Sequence, residues 1–344
     1  MNPVRNFFIL PGKKPKVENL VVSNPIMVGK DDISNGVNEI IKNLKKTFSK
    51  AVKRSPYKGL LFSGGLDTSI LASLKPKIIG ITVSLGSKAE DIFYSKSLAK
   101  FLNMKHFHRK VDIDEAIEAI PQVIKILKSF DPAIPNDLVV YLGLKNALEL
   151  GIDMIATGDG GDELFGGYSF MKNLDDLESY IQNISKNMSF SSNEIGKFFS
   201  IKIIQPFIDE SIVDLALNIP IDLKIRKYNG KTWGKWILRK AFEDMLPKRF
   251  IWQSKRPLEY GSGMTKLRGI IGLKISDEEF EEKKRLYPIN FLNKEHLYYY
   301  EIYRKELGEI PKPKNGQECC PGCGAEMKRI SFHCRTCGWA KPIK

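Results

Sequence analysis

Two stretches of this chain concentrate the residue types that handle phosphate. The first is Ser63-Gly64-Gly65-Leu66-Asp67-Thr68-Ser69. Its glycines let the backbone turn tightly and approach a ligand, while hydroxyls and amides at the start of a helix can hold an oxyanion. Asp67 changes the chemistry available to such a loop. A carboxylate repels phosphate unless a cation lies between them, so the loop suits a magnesium-bound pyrophosphate better than a bare phosphate. No Gly-Lys-Ser or Gly-Lys-Thr follows, which excludes a Walker-type loop, and the three spaced glycines of a dinucleotide fingerprint are missing. The second stretch is Thr157-Gly158-Asp159-Gly160-Gly161-Asp162-Glu163-Leu164-Phe165-Gly166-Gly167-Tyr168. It places Asp159 and Asp162 in a glycine-rich turn, where a metal-bridged phosphate chain and an amine nucleophile would both need carboxylates. The competing structural explanations are a plain strand-to-helix turn and an acidic surface loop.

All five cysteines, Cys319, Cys320, Cys323, Cys334 and Cys337, fall in the last 26 residues, so a disulfide framework for the main body is excluded. Cys320-x-x-Cys323 and Cys334-x-x-Cys337 form two knuckles that can set four thiolates tetrahedrally around Zn²⁺. Cys319 and His333 read as bystanders. A redox pair is the competing view, but two pairs in a basic, Pro- and Gly-linked tail favour metal. The ribbon could serve stability or partner docking, or it could recognise RNA or a protein substrate through Lys328, Arg329, Arg335 and Lys341.

The elements that must position these residues follow from hydrophobic period. A helix is predicted from Ser34, with Val37, Ile40, Ile41, Leu44 and Phe48 on one face. Short apolar strands are predicted at 59–62, 78–84, 105–111 and 154–157, separated by helices around 89–102, 114–130 and 137–150. This alternation predicts an α/β fold with a parallel sheet, whose ligands sit beyond the carboxyl ends of the strands. Both phosphate-handling stretches follow a predicted strand. After Gly167 strand signals fade, and residues 170–305 read as mostly helical, with Glu210 to Leu217, Trp233 to Leu246 and Phe291 to Leu307 the most periodic. The expected organisation is an extension at 1–33, a catalytic body at 34–307, a linker at 308–318 and a zinc ribbon at 319–344 able to move on that linker.

The loop Ser63 to Ser69 resembles the pyrophosphate loop of the N-type ATP pyrophosphatases, a group that includes asparagine, argininosuccinate and GMP synthetases and tRNA thiolases. Thr157 to Tyr168 resembles the signature of the asparagine synthetase synthase domain. Pro206 to Asp209, Lys235 to Phe242, Leu246-Pro247, Trp252 to Lys255 and Gly261 to Gly263 follow that family's order. The resemblance implies a sheet of the adenine nucleotide α-hydrolase type and an ATP-dependent amide ligase working through an acyl-adenylate. It implies catalytic roles for Lys255, Asp159 and Asp162, with Lys255 meeting the charge that builds on the departing pyrophosphate. ATP would be held by Ser63, Gly64, Gly65, Asp67, Thr68, Ser69, Val83, Thr157 and Gly158, and Mg²⁺ by Asp67 and Asp162.

Three departures qualify the implied chemistry. Asp159 stands where the family usually has Glu, so its carboxylate reaches about one methylene less. Between Phe130 and Leu142, where the family tends to place a Thr and an Arg, the chain reads Asp131-Pro132-Ala133-Ile134-Pro135-Asn136-Asp137, with no guanidinium to pair bidentately with a carboxylate. No cysteine precedes Cys319, so the amino-terminal cysteine of a glutaminase domain is missing, and free ammonia or a separate ammonia-supplying protein is the expected nitrogen source. The implied partner is a small-molecule carboxylate.

A net charge of +14 from 54 basic and 40 acidic residues leaves an alternative open, ATP-driven modification of a tRNA base with the ribbon contacting RNA. No apolar run approaches the roughly 18 residues of a membrane span, and none resembles a signal peptide. A cytoplasmic protein is expected.

Overall fold

A computed structural model describes residues 30–314, 316–327 and 331–341. The expected extension at 1–33 therefore lies almost wholly outside the described residues. The first half is α1 (Lys30–Arg54), β1 (Gly59–Leu61), α2 (Leu66–Leu74), β2 (Ile79–Leu85), α3 (Glu90–Phe101), β3 (Lys105–Val111), α4 (Ile113–Leu127), α5 (Ile134–Glu149), β4 (Met154–Ala156) and α6 (Gly161–Phe165). Then come α7 (Leu177–Ser185), α8 (Ser191–Phe198), β5 (Lys202–Ile204), α9 (Glu210–Leu217), α10 (Ile221–Lys224), β6 (Ile225–Tyr228), β7 (Lys231–Gly234) and α11 (Trp236–Phe242). The body closes with α12 (Lys248–Ile251), α13 (Leu258–Gly261), α14 (Lys266–Gly272), α15 (Asp277–Leu286) and α16 (Lys294–Leu307), and the ribbon adds β8 (Glu318–Cys319) and β9 (Glu326–Met327).

Five strands form one parallel sheet in the order β3-β2-β1-β4-β5. The chain works outward from β1 to β3 and then returns to β4 on β1's other side. The carboxyl ends of β1 and β4 therefore flank the switch point where such sheets bind ligands. Alternation along β1 explains the two layers. Leu60 and Phe62 enter the core built with α1, α2 and α11, whereas Leu61 points to the opposite face with Ile81, Ile155 and Leu144 of α5. Helix ends are set locally. Asp112 accepts from Glu115 N at 2.8 Å to start α4, and Asn293 accepts from His296 N at 2.9 Å to start α16.

Three expectations need correction. Leu66, Asp67 and Thr68 lie in α2 itself rather than in a turn before a helix starting at Ser69, because the helix begins at Leu66. Residues after Gly167 are not helical throughout, since β5 joins the sheet and β6 pairs with β7 in an antiparallel hairpin. That hairpin takes Trp233 out of the predicted helix and puts it in a strand. The ribbon is also not detached. Its four knuckle cysteines are buried in the same cluster as Val123 of α4, Leu138 of α5 and Tyr303 of α16.

Candidate active site

The loop after β1 and the turn after β4 meet across the switch point and line an open cavity of about 420 Å³. Asp67 and Asp162, 95 residues apart in the chain, converge there on one ammonium. Lys235 Nζ lies 2.5 Å from Asp67 Oδ2 and 2.8 Å from Asp162 Oδ1, and Lys255 pairs with Asp162 Oδ2. The approach is close enough that a Cβ on Gly161 would sit 2.7 Å from Asp67 Oδ1, so only glycine lets these two loops touch.

Electrostatics follow from burial and this pairing. Burial pushes the Asp67 carboxyl above its usual range, aided by repulsion from Asp162 and opposed by Lys235 and Lys255. Burial would do the same to Asp162, but the two lysines outweigh it and hold that carboxyl low. The two carboxylates in turn overcome burial at Lys235 and raise its ammonium. Asp67 Oδ1 is buried without a hydrogen-bond donor among the described residues. Two carboxylates meeting at one cation, with a free oxygen, form a donor set that fits Mg²⁺.

The loop carrying Lys255 is fastened from beneath. Arg239, stacked 4.8 Å from the Trp233 ring, donates to the carbonyls of Gly234, Ile251 and Gln253. Gln253 Nε2 donates to Gly64 O at 2.9 Å, tying this loop to the one after β1. Asp159 is held by three donors on one oxygen: Thr157 Oγ1 and Ser192 Oγ at 2.7 Å and Gln205 Nε2 at 2.9 Å. Also lining the cavity, Asp91 pairs with Arg256, whose guanidinium lies 3.8 Å over the Tyr94 ring. Burial lifts the Asp91 carboxyl to about 6 despite that partner.

Of the residues expected from sequence, Ser63, Gly65, Asp67, Thr68, Val83, Thr157, Gly158, Asp159, Asp162 and Lys255 all line this cavity. Gly64 and Ser69 do not. Gly64 offers its carbonyl to Gln253, and the buried Ser69 hydroxyl donates to Gly65 O at 2.6 Å, inside the helix start. Lys235 was missed as a site residue. So were Lys172, Lys231 and Arg256, cavity-lining cations that the 131–137 segment lacks.

Two segments of the chain, 40–198 and 177–316, match the family model described as asparagine synthase. The chain belongs to the asparagine synthase family. A probable glutamine-hydrolysing asparagine synthetase of Dictyostelium discoideum is 27% identical, over 82% of this chain and 57% of that protein. Asparagine synthetase 2 of Lotus japonicus, also described as glutamine-hydrolysing, is 27% identical over 75% of this chain and 50% of that protein. The chain thus spans about half the length of the curated relatives it matches. Among solved structures, an NH3-dependent NAD synthetase from Campylobacter jejuni is matched over 81% of this chain and 99% of that one, at 14% identity and a TM-score of 0.33. Membership does not favour the tRNA-modifying alternative.

The ribbon's four Sγ atoms lie within 4.8 Å of one another, with Cys320 and Cys337 3.6 Å apart and Cys323 and Cys334 3.8 Å apart. Tetrahedral Zn²⁺ with bonds of ~2.3 Å sets sulfur atoms about 3.8 Å apart, so the cluster is compatible with zinc. The amides of Gly322 and Trp339 donate to Cys320 and Cys337, as metal knuckles require. Cys319 is exposed outside the cluster. Among the described residues no helix is long and apolar enough to cross a membrane.

Proposed function

We propose that this chain joins a carboxylate to ammonia or an amine at the expense of ATP, releasing AMP and pyrophosphate. The observation that carries the reading is the four-charge cluster of Asp67, Asp162, Lys235 and Lys255 at the switch point. A carboxylate oxygen attacks the α-phosphorus, and the bond to the oxygen bridging the α and β phosphorus atoms breaks. Pyrophosphate leaves with that electron pair. Mg²⁺, held by Asp67 and Asp162, would screen the phosphate oxygens from those carboxylates.

The chain's own residues supply the rest. Amides and hydroxyls of Ser63, Gly65 and Thr68 cradle the leaving pyrophosphate, and the two lysines meet its growing charge. Val83, Thr157 and Gly158 border the nucleoside. In the second step the amine attacks the acyl carbon and AMP departs with the electron pair of the acyl–oxygen bond. Asp159, oriented by its three donors, faces this step as the group able to draw in the amine and take its proton. Lys172, Lys231 and Arg256 are the cations available to an acidic acceptor.

Zn²⁺ on Cys320, Cys323, Cys334 and Cys337 has a structural role in this reading. The division into a body at 34–307 and a ribbon at 319–344 is retained as a sequence division only. The test uses an ¹⁸O-labelled carboxylate panel that includes aspartate, with ammonium as donor. Label transferred to AMP supports the acyl-adenylate. Formation of ADP and orthophosphate would refute it.

A further inference from the structure

The ribbon grips the body at two places, Asn290, which donates from its amide and side chain to the carbonyls of Gly322 and Pro321, and the segment beside the cavity that departs from the family pattern. Phe130 N donates to Thr336 O at 2.7 Å, and Ser129 Oγ reaches the same carbonyl at 3.3 Å. His333 Nε2 lies 3.1 Å from Asp131 Oδ2, with both side chains over nine-tenths buried. The contact leaves no slack, because a Cβ on Gly338 would fall 2.7 Å from Asp131 Oδ1. Asp131 passes the constraint on. Its Oδ1 accepts from Ala133 N at 2.8 Å, which sets the start of α5.

Helix α5 forms one wall of the cavity. Ala133 just before it and Asn136, Asp137, Val139 and Val140 along it face the cavity together with Leu61, Ile81 and Val83 of the sheet. The helix packs hard on those strands, since a Cβ on Gly143 would lie 2.8 Å from Leu61 Cδ2. The position of α5 therefore sets the width of this side of the cavity, where Val139, Val140, Ile81 and Val83 offer apolar surface to a flat base, while Asp67 of α2, Asp162 of α6 and Lys235 just before α11 are built on a different core.

We propose that the ribbon is a positioning element of the nucleotide pocket, holding α5 through Asp131 and His333 so that the adenosine end binds. His333 and Asp131 act here through α5 and are not catalytic. The proposal rests on the ATP reading of the site, and it separates the two ends of the nucleotide. Loss of the grip should weaken AMP and spare magnesium pyrophosphate.

The experiment is titration calorimetry of the full chain with AMP, and separately with inorganic pyrophosphate plus Mg²⁺. His333→Leu and Gly338→Ala should raise the Kd for AMP about tenfold or more while the pyrophosphate Kd stays within twofold. His333→Gln keeps a polar side chain of similar reach packed against Asp131 and should stay close to wild type. Should His333→Leu or Gly338→Ala fail to fold, Ser129→Ala, which removes one bond to Thr336 from the body's side, should raise the AMP Kd by roughly threefold. Unchanged AMP binding in folded variants overturns the proposal, and so does equal weakening of both ligands. Wild-type protein that binds neither ligand refutes the ATP site itself.

Discussion

Replacing Lys235 with Met removes the one ammonium shared by Asp67 and Asp162 and keeps most of the side chain's volume. In the native cluster two carboxylates face two ammonium groups and formal charge sums to zero. Without Lys235 the sum is −1, in a place where Asp67 and Asp162 are only 16% and 15% exposed. Lys255 is 31% exposed and forms its ion pair with Asp162 and none with Asp67, so it does not replace both contacts. Breaking a buried pair by removing one partner costs about 3–5 kcal/mol. At roughly 2–3 °C per kcal/mol for a chain of this size, the melting temperature should fall by about 6–15 °C.

The sign with pH is fixed by the same contacts. The lysines hold Asp162 below its usual range, so their stabilisation is present above the unfolded carboxylate value near 3.8 and fades as pH falls through the lower folded value. The gap between wild type and Lys235→Met should therefore be full at pH 7–8, begin to shrink only below about pH 4, and close only as pH falls to the depressed folded value. Thermal unfolding across that range reads it directly. Adding Mg²⁺ with pyrophosphate should recover part of the loss, because the metal replaces the missing cation. Turnover should drop by roughly 10²–10³, the usual effect of deleting one donor to developing charge. A shift under about 2 °C at pH 8 would refute the reasoning.

Other outcomes follow from separate parts of the molecule. Burial raises Asp91 from 3.8 to about 6, so the folded state keeps a proton that the unfolded state loses, and stability falls by about 3 kcal/mol as pH rises through that window. Asp91→Asn should flatten this component in denaturant titrations run between pH 4 and 7; an unchanged pH slope would contradict it. Cys334→Ser should abolish stoichiometric zinc and cost roughly 4 kcal/mol or more, since Cys334 is fully buried in the core shared with α4 and α16. Denaturation midpoints and metal analysis check both halves. With no thiol before Cys319, the 344-residue chain should release no glutamate from glutamine while accepting ammonium, which a coupled glutamate assay decides.

What could be read in advance was whatever is encoded locally. The loop after β1, the turn after β4 and the cysteine knuckles each carry their chemistry within a dozen residues, so their types and spacing survive without the fold. The β6–β7 hairpin also had a local signal, Asn229-Gly230, with both residues at positive φ as a two-residue hairpin turn demands. β5 had none, being three residues long and made a strand by its pairing with β4. Lys235 shows where local encoding ends. It stands at a left-handed position between the hairpin and α11, and its partner Asp67 is 168 residues away. The Lys235 to Phe242 run follows the family's order but assigns this lysine no role, because what makes it functional is burial beside two carboxylates brought from other elements. The ribbon's grip on Asp131 is of the same kind: His333 looked like a bystander beside its knuckle and found its contact across the fold.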